Sequence, residues 1–186
     1  PLERYFKPVF EPVDLSVTGG EALLVTGANG VGKTTLIRML AGLLRPSEGE
    51  VRREVDALTY LGHTLAVKDD LTVRENLVFM QRFLAGPRAH VSGGDGLDRV
   101  IERMGLGRLP EQLGRTLSAG QRKRCALARL LLSPARLWLL DEPYANLDAQ
   151  GVELFDTLLE EHVQAGGACI MRTHGTLRPE HLDYRE

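Results

Sequence analysis

Eight residues carry the clearest chemistry in this chain: Gly27-Ala28-Asn29-Gly30-Val31-Gly32-Lys33-Thr34. They fit G-x-x-x-x-G-K-[ST], the spacing of a phosphate-binding P-loop. Glycines let the backbone turn tightly and aim its N–H groups into one concavity, where phosphate oxygens sit. Lys33 reaches the β- and γ-phosphates of a nucleotide, and the Thr34 hydroxyl is placed to ligate Mg²⁺. A second group is Leu137-Trp138-Leu139-Leu140-Asp141-Glu142, an apolar run that ends in two carboxylates. Parallel α/β sheets bind ligands at the carboxyl ends of their strands. Asp141 is therefore expected to hold Mg²⁺, directly or through water, and Glu142 to polarise an attacking water. His174 follows the apolar run Ala168-Cys169-Ile170-Met171, and its order in the chain points to a γ-phosphate contact. Each feature alone has a plainer reading: a chance glycine turn, a solvated strand end, an exposed histidine. The three in one order, on one kind of scaffold, outweigh those readings.

The elements around them are what this chemistry needs. Ala22-Leu23-Leu24-Val25-Thr26 has the length and apolarity of a buried strand. The spacing from Thr35 to Ala41 predicts a helix, with Gly42 as its stop. Strand, glycine loop and helix N-terminus together make an anion site. Before them, residues 1–21 hold Pro1, Pro8 and Pro12 and are read as short, partly antiparallel strands, with a turn at Thr18-Gly19-Gly20-Glu21. Tyr5, Phe6 and Phe10 offer an aromatic face for an adenine ring, with Tyr5 the selected candidate, although a core or hairpin role is open to each. Pro46 to Glu50 is a turn, and Val51 to Leu61 is expected to return as strand. Thr72 and Glu75 have capping-box spacing for a helix that runs to Leu84 or Ala85. A breaker-rich loop spans residues 86–96, and Leu97 to Met104 reads as helix with Gly105 just past its end. Residues 64–116 thus read as a helical subdomain inserted in an α/β core. Ser118 and Gln121 repeat the capping-box spacing ahead of a helix from Ala119 to Leu132, and Asp148 fits the N-cap of a helix from Ala149 to about Gln164.

Composition sets the limits. The 186 residues suit one domain, and 43% hydrophobic with 26% charged is ordinary for a globular chain. A net charge of −2 gives no general attraction to nucleic acid or anionic lipid. Cys125 and Cys169 form no C-x-x-C pair and read as buried thiols, neither a disulfide nor a metal site. No apolar run approaches the length of a membrane span and no signal peptide is visible. The expectation is a cytoplasmic chain that does membrane work only through a separate partner.

Together these residues resemble the ATP-binding cassette (ABC) ATPases. Leu117-Ser118-Ala119-Gly120-Gln121 looks like the signature motif L-S-G-G-Q with one glycine replaced by Ala119. Asp141-Glu142-Pro143 and Leu147-Asp148 look like the Walker B and D-loop segments, and His174 matches the switch histidine. The resemblance implies a P-loop NTPase fold of RecA-like mixed-sheet type, with small antiparallel N-terminal strands and an inserted helical subdomain. It also implies ATP and Mg²⁺ as ligands, with Gly27 to Thr35 holding ATP. It further implies a head-to-tail dimer in which Ser118, Gly120 and Gln121, with Asp148 nearby, serve the nucleotide of a second copy.

One position departs from the family. Its usual glutamine before an L-T-V-x-E-N-L segment is His63 here, in Tyr60-Leu61-Gly62-His63. The Gly-His form and the Leu-Ser-Ala-Gly-Gln form, over about residues 15–175, are similar to the haem-exporter ATPases of cytochrome c maturation. That narrower resemblance implies transmembrane permease subunits of a haem-export system as partners and a place on the cytoplasmic face of the inner membrane. It implies no direct contact with nucleic acid. Three competing readings are an ATPase of another small exporter, a soluble ABC protein acting on DNA or ribosomes, and a nucleotide-binding module without catalysis, the last opposed by the presence of Lys33, Asp141, Glu142 and His174. The second lacks its supports here, since the chain has no sustained heptads and no second cassette.

Overall fold

The computed structural model describes residues 9–85, 94–173, 179 and 182–185. Tyr5, Phe6, His174 and most of the breaker-rich segment lie outside the described residues. Five strands form one sheet in the order β2-β3-β4-β1-β5, namely Ala22–Val25 (β1), Leu58–Leu61 (β2), Leu137–Asp141 (β3), Ala168–Arg172 (β4) and Tyr184–Arg185 (β5). Every pairing within it is parallel. The register sets Leu61 beside Leu140, Asp141 beside Arg172, and Arg172 beside Val25. The carboxyl ends of four strands therefore stop at one edge.

The expected antiparallel strands ahead of β1 do not form over residues 9–21, which carry no strand. Pro12 lacks the N–H that a ladder needs, and Val9 and Val13 are exposed. The strand expected over Val51 to Leu61 contracts to its last four residues. Residues 51–57 hold four charged side chains and nearly all seven are exposed, so no buried face draws them into the sheet.

The helices follow the sequence pattern closely. They are Lys33–Leu40 (α1), Val73–Ala85 (α2), Gly94–Arg103 (α3), Ala119–Leu127 (α4), Arg129–Leu132 (α5) and Ala149–Gln164 (α6). Gly42 stops α1 with φ +76, and the Leu43 N–H donates back to the Arg38 carbonyl at 2.9 Å. Both capping boxes are made. The Thr72 N–H donates to Glu75 at 2.8 Å and the Glu75 N–H to the Thr72 hydroxyl at 3.1 Å. Ser118 and Gln121 repeat the exchange at 2.9 and 3.2 Å. One expected helix divides in two: α4 and α5 meet at Ala128, which stays helical in φ and ψ. Between β2 and β3 the described residues hold α2 to α5, a short 3-10 turn at Gly114–Thr116, and a lone bridge between Thr72 and Leu113. Fully buried Asn76 accepts from the Lys68 N–H and donates to the carbonyls of Lys68, Leu71 and Thr72. It fixes the approach to α2 with its amide satisfied.

At the far edge of the sheet, β3 and α6 are joined by an aromatic stack. The His162 ring lies on Trp138 with centroids 3.7 Å apart and planes 7° from parallel. Burial pushes the His162 pKa down, so the ring is neutral at pH 7. Its Nε2 is 3.2 Å from the Ala168 carbonyl. The turn into β4 runs beneath that ring: a Cβ on Gly167 would come within 2.3 Å of it. Gly167→Ala is expected to lower stability by about 1–3 kcal/mol, the usual cost of forcing a packed side chain aside. Trp138 is the single tryptophan, so its emission should shift in the same variant. A wild-type denaturation midpoint with unchanged emission would contradict this packing.

Candidate functional site

The P-loop folds as a cradle. Gly32 begins α1 at φ +95 with no side-chain cap, which leaves the first N–H groups of the helix aimed into the loop. A Cβ at Gly32 would lie 2.5 Å from the Phe10 ring and 2.9 Å from Val9. Only glycine meets both demands there. The cleft above the loop is lined by Asn29, Gly30, Gly32, Lys33, Thr34 and Thr35, with Val9 and Arg172. Lys33 is buried, and its ammonium donates at 2.6 Å to the carbonyls of Gly27 and Ala28, curling back over its own loop.

The strand-end carboxylates meet this loop through Arg172, the last residue of β4. One guanidinium nitrogen donates to the Thr34 hydroxyl at 3.1 Å and to buried Asp141 at 2.9 Å. The other pairs with the Glu142 carboxylate. Thr34, Asp141 and Glu142 thus converge on one cation. A pair of carboxylates beside a hydroxyl is an all-oxygen donor set, and the guanidinium resting among them marks a place that suits positive charge. These residues fit a hard divalent ion such as Mg²⁺.

Glu142 is held by its backbone as well. Its φ is +55, unusual for a residue with a side chain. Its N–H donates to the Arg172 carbonyl at 2.9 Å, and its own carbonyl accepts from the Lys123 ammonium at 2.8 Å. The strained conformation is over-determined from both sides, as strain at functional positions usually is. Lys123, on α4, is buried, and its pKa falls to about 8 because burial disfavours the charged form; the carboxylates of Glu142 and Asp141 act against that fall.

The other expected residues are placed as follows. Ser118, Gly120 and Gln121 lie at the start of α4 and do not line the P-loop cleft of their own chain. A Cβ on Gly120 would meet the Asn146 carbonyl at 3.3 Å, so the signature turn rests on the segment before α6. Asp148 caps α6 through the Gly151 N–H at 2.9 Å and takes both its oxygens to Arg124 at 2.7 and 3.0 Å. His63 is exposed, two residues beyond β2, level with Glu142 by register but across the sheet from the P-loop, and it does not line the cleft. Phe10, one of three early aromatics, is the one seen against the loop. Reading the sequence missed Arg172 and Lys123. Arg172 carried a usable signal: it is a charge that closes an apolar strand, at the same edge as the acids.

The pattern of the ABC transporter family matches residues 10–145. This chain belongs to the ABC transporter family. Membership makes it an ATP-binding ATPase with the P-loop NTPase fold. Among individual ABC proteins, it is 51% identical over 183 residues to the cytochrome c biogenesis ATP-binding export protein CcmA of Xanthomonas campestris pv. campestris, covering 94% of this chain and 83% of that protein. It is 44% identical over 184 residues to the protein of the same name from Nitrosococcus oceani, covering 93% and 82%. A solved putative ABC transporter ATP-binding protein from Pyrococcus furiosus superposes with a TM-score of 0.80 at 23% identity over 98% of this chain and 91% of that one, a likeness of fold.

The depressed Lys123 pKa has a stability consequence. Between about pH 8 and its ordinary 10.5 the unfolded chain binds the extra proton, so the contribution of Lys123 to stability rises with pH across that window. Against Lys123→Met, wild type should gain about 2 kcal/mol between pH 7 and pH 9.5 in denaturant titrations. A difference that stays constant with pH would mean the ammonium is well solvated.

Proposed function

We propose that this chain is the ATP-hydrolysing subunit of an ABC transporter serving cytochrome c biogenesis, with haem export or the release of a haem-loaded chaperone as its work. The observation that carries the hydrolytic part is the meeting of Thr34, Asp141 and Glu142 on one guanidinium at the mouth of the P-loop. The biogenesis part is supported by the similarity to CcmA proteins over nearly the whole chain.

In this reading Lys33, the loop N–H groups from Gly27 to Gly32, and Thr35 hold the polyphosphate. Thr34 and Asp141 would hold Mg²⁺, which would supply charge neutralisation for the phosphates. Glu142 accepts a hydrogen bond from water and draws its proton as the oxygen bonds to the γ-phosphorus and the bond to ADP breaks. His174 contacts the γ-phosphate, and Tyr5 lies against the adenine. Ser118, Gly120 and Gln121 serve a second copy in a head-to-tail dimer, with Asp148 beside them. Their start-of-helix position, away from the P-loop cleft of their own chain, supports this. His63 takes the place that links the nucleotide site to the membrane partner. Residues 64–116 act as the helical subdomain that carries that partner.

Among the described residues no helix is long and apolar enough to cross a membrane. Attachment to the cytoplasmic face of the inner membrane then runs through permease subunits. The apolar contact is supplied by Phe79 and Phe83, 46% and 78% exposed and stacked 6.4 Å apart on α2. The Lys68 ammonium sits 5.0 Å from the Phe79 ring and keeps that edge polar. A short amphipathic helix of a permease suits such a surface.

Two tests separate the parts of this reading. Glu142→Gln should bind ATP nearly as wild type and hydrolyse it ~10²–10⁴-fold more slowly, the usual worth of a general base. Hydrolysis at the wild-type rate would remove Glu142 from its role. Phe83→Asp, at an exposed position, should leave ATP binding intact and abolish both co-purification with haem-export permease subunits and cytochrome c maturation. Normal maturation in cells lacking this chain would eliminate the haem-export reading and leave the ATPase standing.

A further inference from the structure

Arg172 lies where the chemistry above puts a metal ion. It ends β4 in register with Asp141 on one side and Val25 on the other. Its side chain is 12% exposed, and that of Asp141 is 2% exposed. One guanidinium nitrogen stands at hydrogen-bond distance from both the Thr34 hydroxyl and an Asp141 oxygen. The second nitrogen holds a Glu142 oxygen. Those are the two oxygens assigned above to the metal and the carboxylate assigned to the water. A guanidinium cannot leave its charge behind, because it does not deprotonate in proteins. A divalent ion and a guanidinium a few ångströms apart repel strongly at a site with little water. They cannot share the Thr34 and Asp141 oxygens.

We propose that Arg172 is a resident cation of this site that competes with the divalent metal for Thr34 and Asp141 and holds Glu142 aside until nucleotide and metal displace it together. In the conformation seen here the guanidinium neutralises the two carboxylates, so metal alone gains little by entering. When ATP brings its phosphates, their negative charge offers the guanidinium another partner within the same cleft, which Arg172 already lines. The Thr34 and Asp141 oxygens would then be open to the metal, and Glu142 would be released to meet the water. Arg172 is a positioning residue in this scheme, and it makes metal binding conditional on nucleotide.

The inference rests on the reading that Thr34 and Asp141 hold the metal, and the test is built to tell the two apart. Mn²⁺ is titrated into the nucleotide-free chain and followed by electron paramagnetic resonance, with no turnover involved. Arg172→Met should bind Mn²⁺ about 10- to 100-fold more tightly than wild type, the scale of one charge-assisted contact removed. Arg172→Lys, which keeps a cation, should stay near wild type. Adding Asp141→Asn to Arg172→Met should erase the gain. Arg172→Gln serves as a second uncharged variant if Arg172→Met does not fold. Equal Mn²⁺ affinity in wild type and the uncharged variants overturns the proposal. If Mg²⁺ still tightens ATP binding in wild type and loses that effect in Asp141→Asn, the metal assignment survives that failure. If Asp141→Asn leaves the Mg²⁺ effect unchanged, the metal assignment falls and the proposal with it.

Discussion

The carboxyl ends of β3, β4 and β1 stop side by side, with Asp141 beside Arg172 beside Val25. That alignment puts two acids, a base and the entry to the P-loop on one rim. A slip of one residue in β3 would turn Asp141 to the opposite face of the sheet. The slip is opposed by the apolar run from Leu137 to Leu140, all buried in the sheet. A strand covered on both faces tolerates no charge until its end, so the place where apolar residues stop is the place where chemistry begins. The register is therefore a packing fact with a catalytic consequence.

Helices α4 and α5 are bound to that rim by buried or half-buried cations. Lys123 donates to the Glu142 carbonyl, Arg124 pairs with Asp148, and Arg129 reaches the carbonyls of Tyr60 at 3.3 Å and Leu65 at 2.6 Å. Arg122 adds the carbonyls of Val67 and Gly114 at 2.6 and 3.0 Å. The signature turn, the segment after β2 that contains His63, and the strained peptide at Glu142 are thus tied to the consecutive helices α4 and α5. Apolar packing would hold such a helix at least as firmly, because burying charge carries a desolvation cost. Directed bonds do something packing does not: they fix each loop by a particular carbonyl, so movement of α4 is felt at named backbone positions. In a family whose work couples hydrolysis to movement, that is a physical route between the two.

Much of this was legible in the sequence because local rules and tertiary demands agree. The P-loop, both capping boxes, the glycine stops at Gly42 and Gly105, and the extents of α2 and α6 follow from short-range pattern. The early strands were not legible. Val13-Asp14-Leu15-Ser16-Val17 alternates like a strand, but pattern cannot say whether a partner strand is within reach. Val51 to Val55 failed for the same reason, since a strand needs an adjacent edge as well as a propensity. At the site, residue type found Lys33, Thr34, Asp141 and Glu142. Arg172 and Lys123 escaped because a lone basic residue carries no motif, and only strand register or helix docking brings it to the acids. Gly167 was visible as a breaker, whereas its contact with the His162 ring on Trp138 is a purely tertiary reason for the same residue.

Charge balance explains why those two cations matter at this rim. Asp141 and Glu142 supply two negative charges close together, one buried and the other half-buried. Left without partners, adjacent like charges in a poorly solvated place repel each other strongly. Arg172 at the carboxylate oxygens and Lys123 at the Glu142 carbonyl offset that repulsion. Lys123 is tied to a backbone carbonyl and stays put, so it can balance charge in every state. Arg172 reaches the side-chain oxygens of Thr34, Asp141 and Glu142 at the mouth of the cleft, on a long stem that can turn. One cation is anchored to the backbone beside Glu142, and the other sits at the oxygens for which a metal arriving with phosphate would compete.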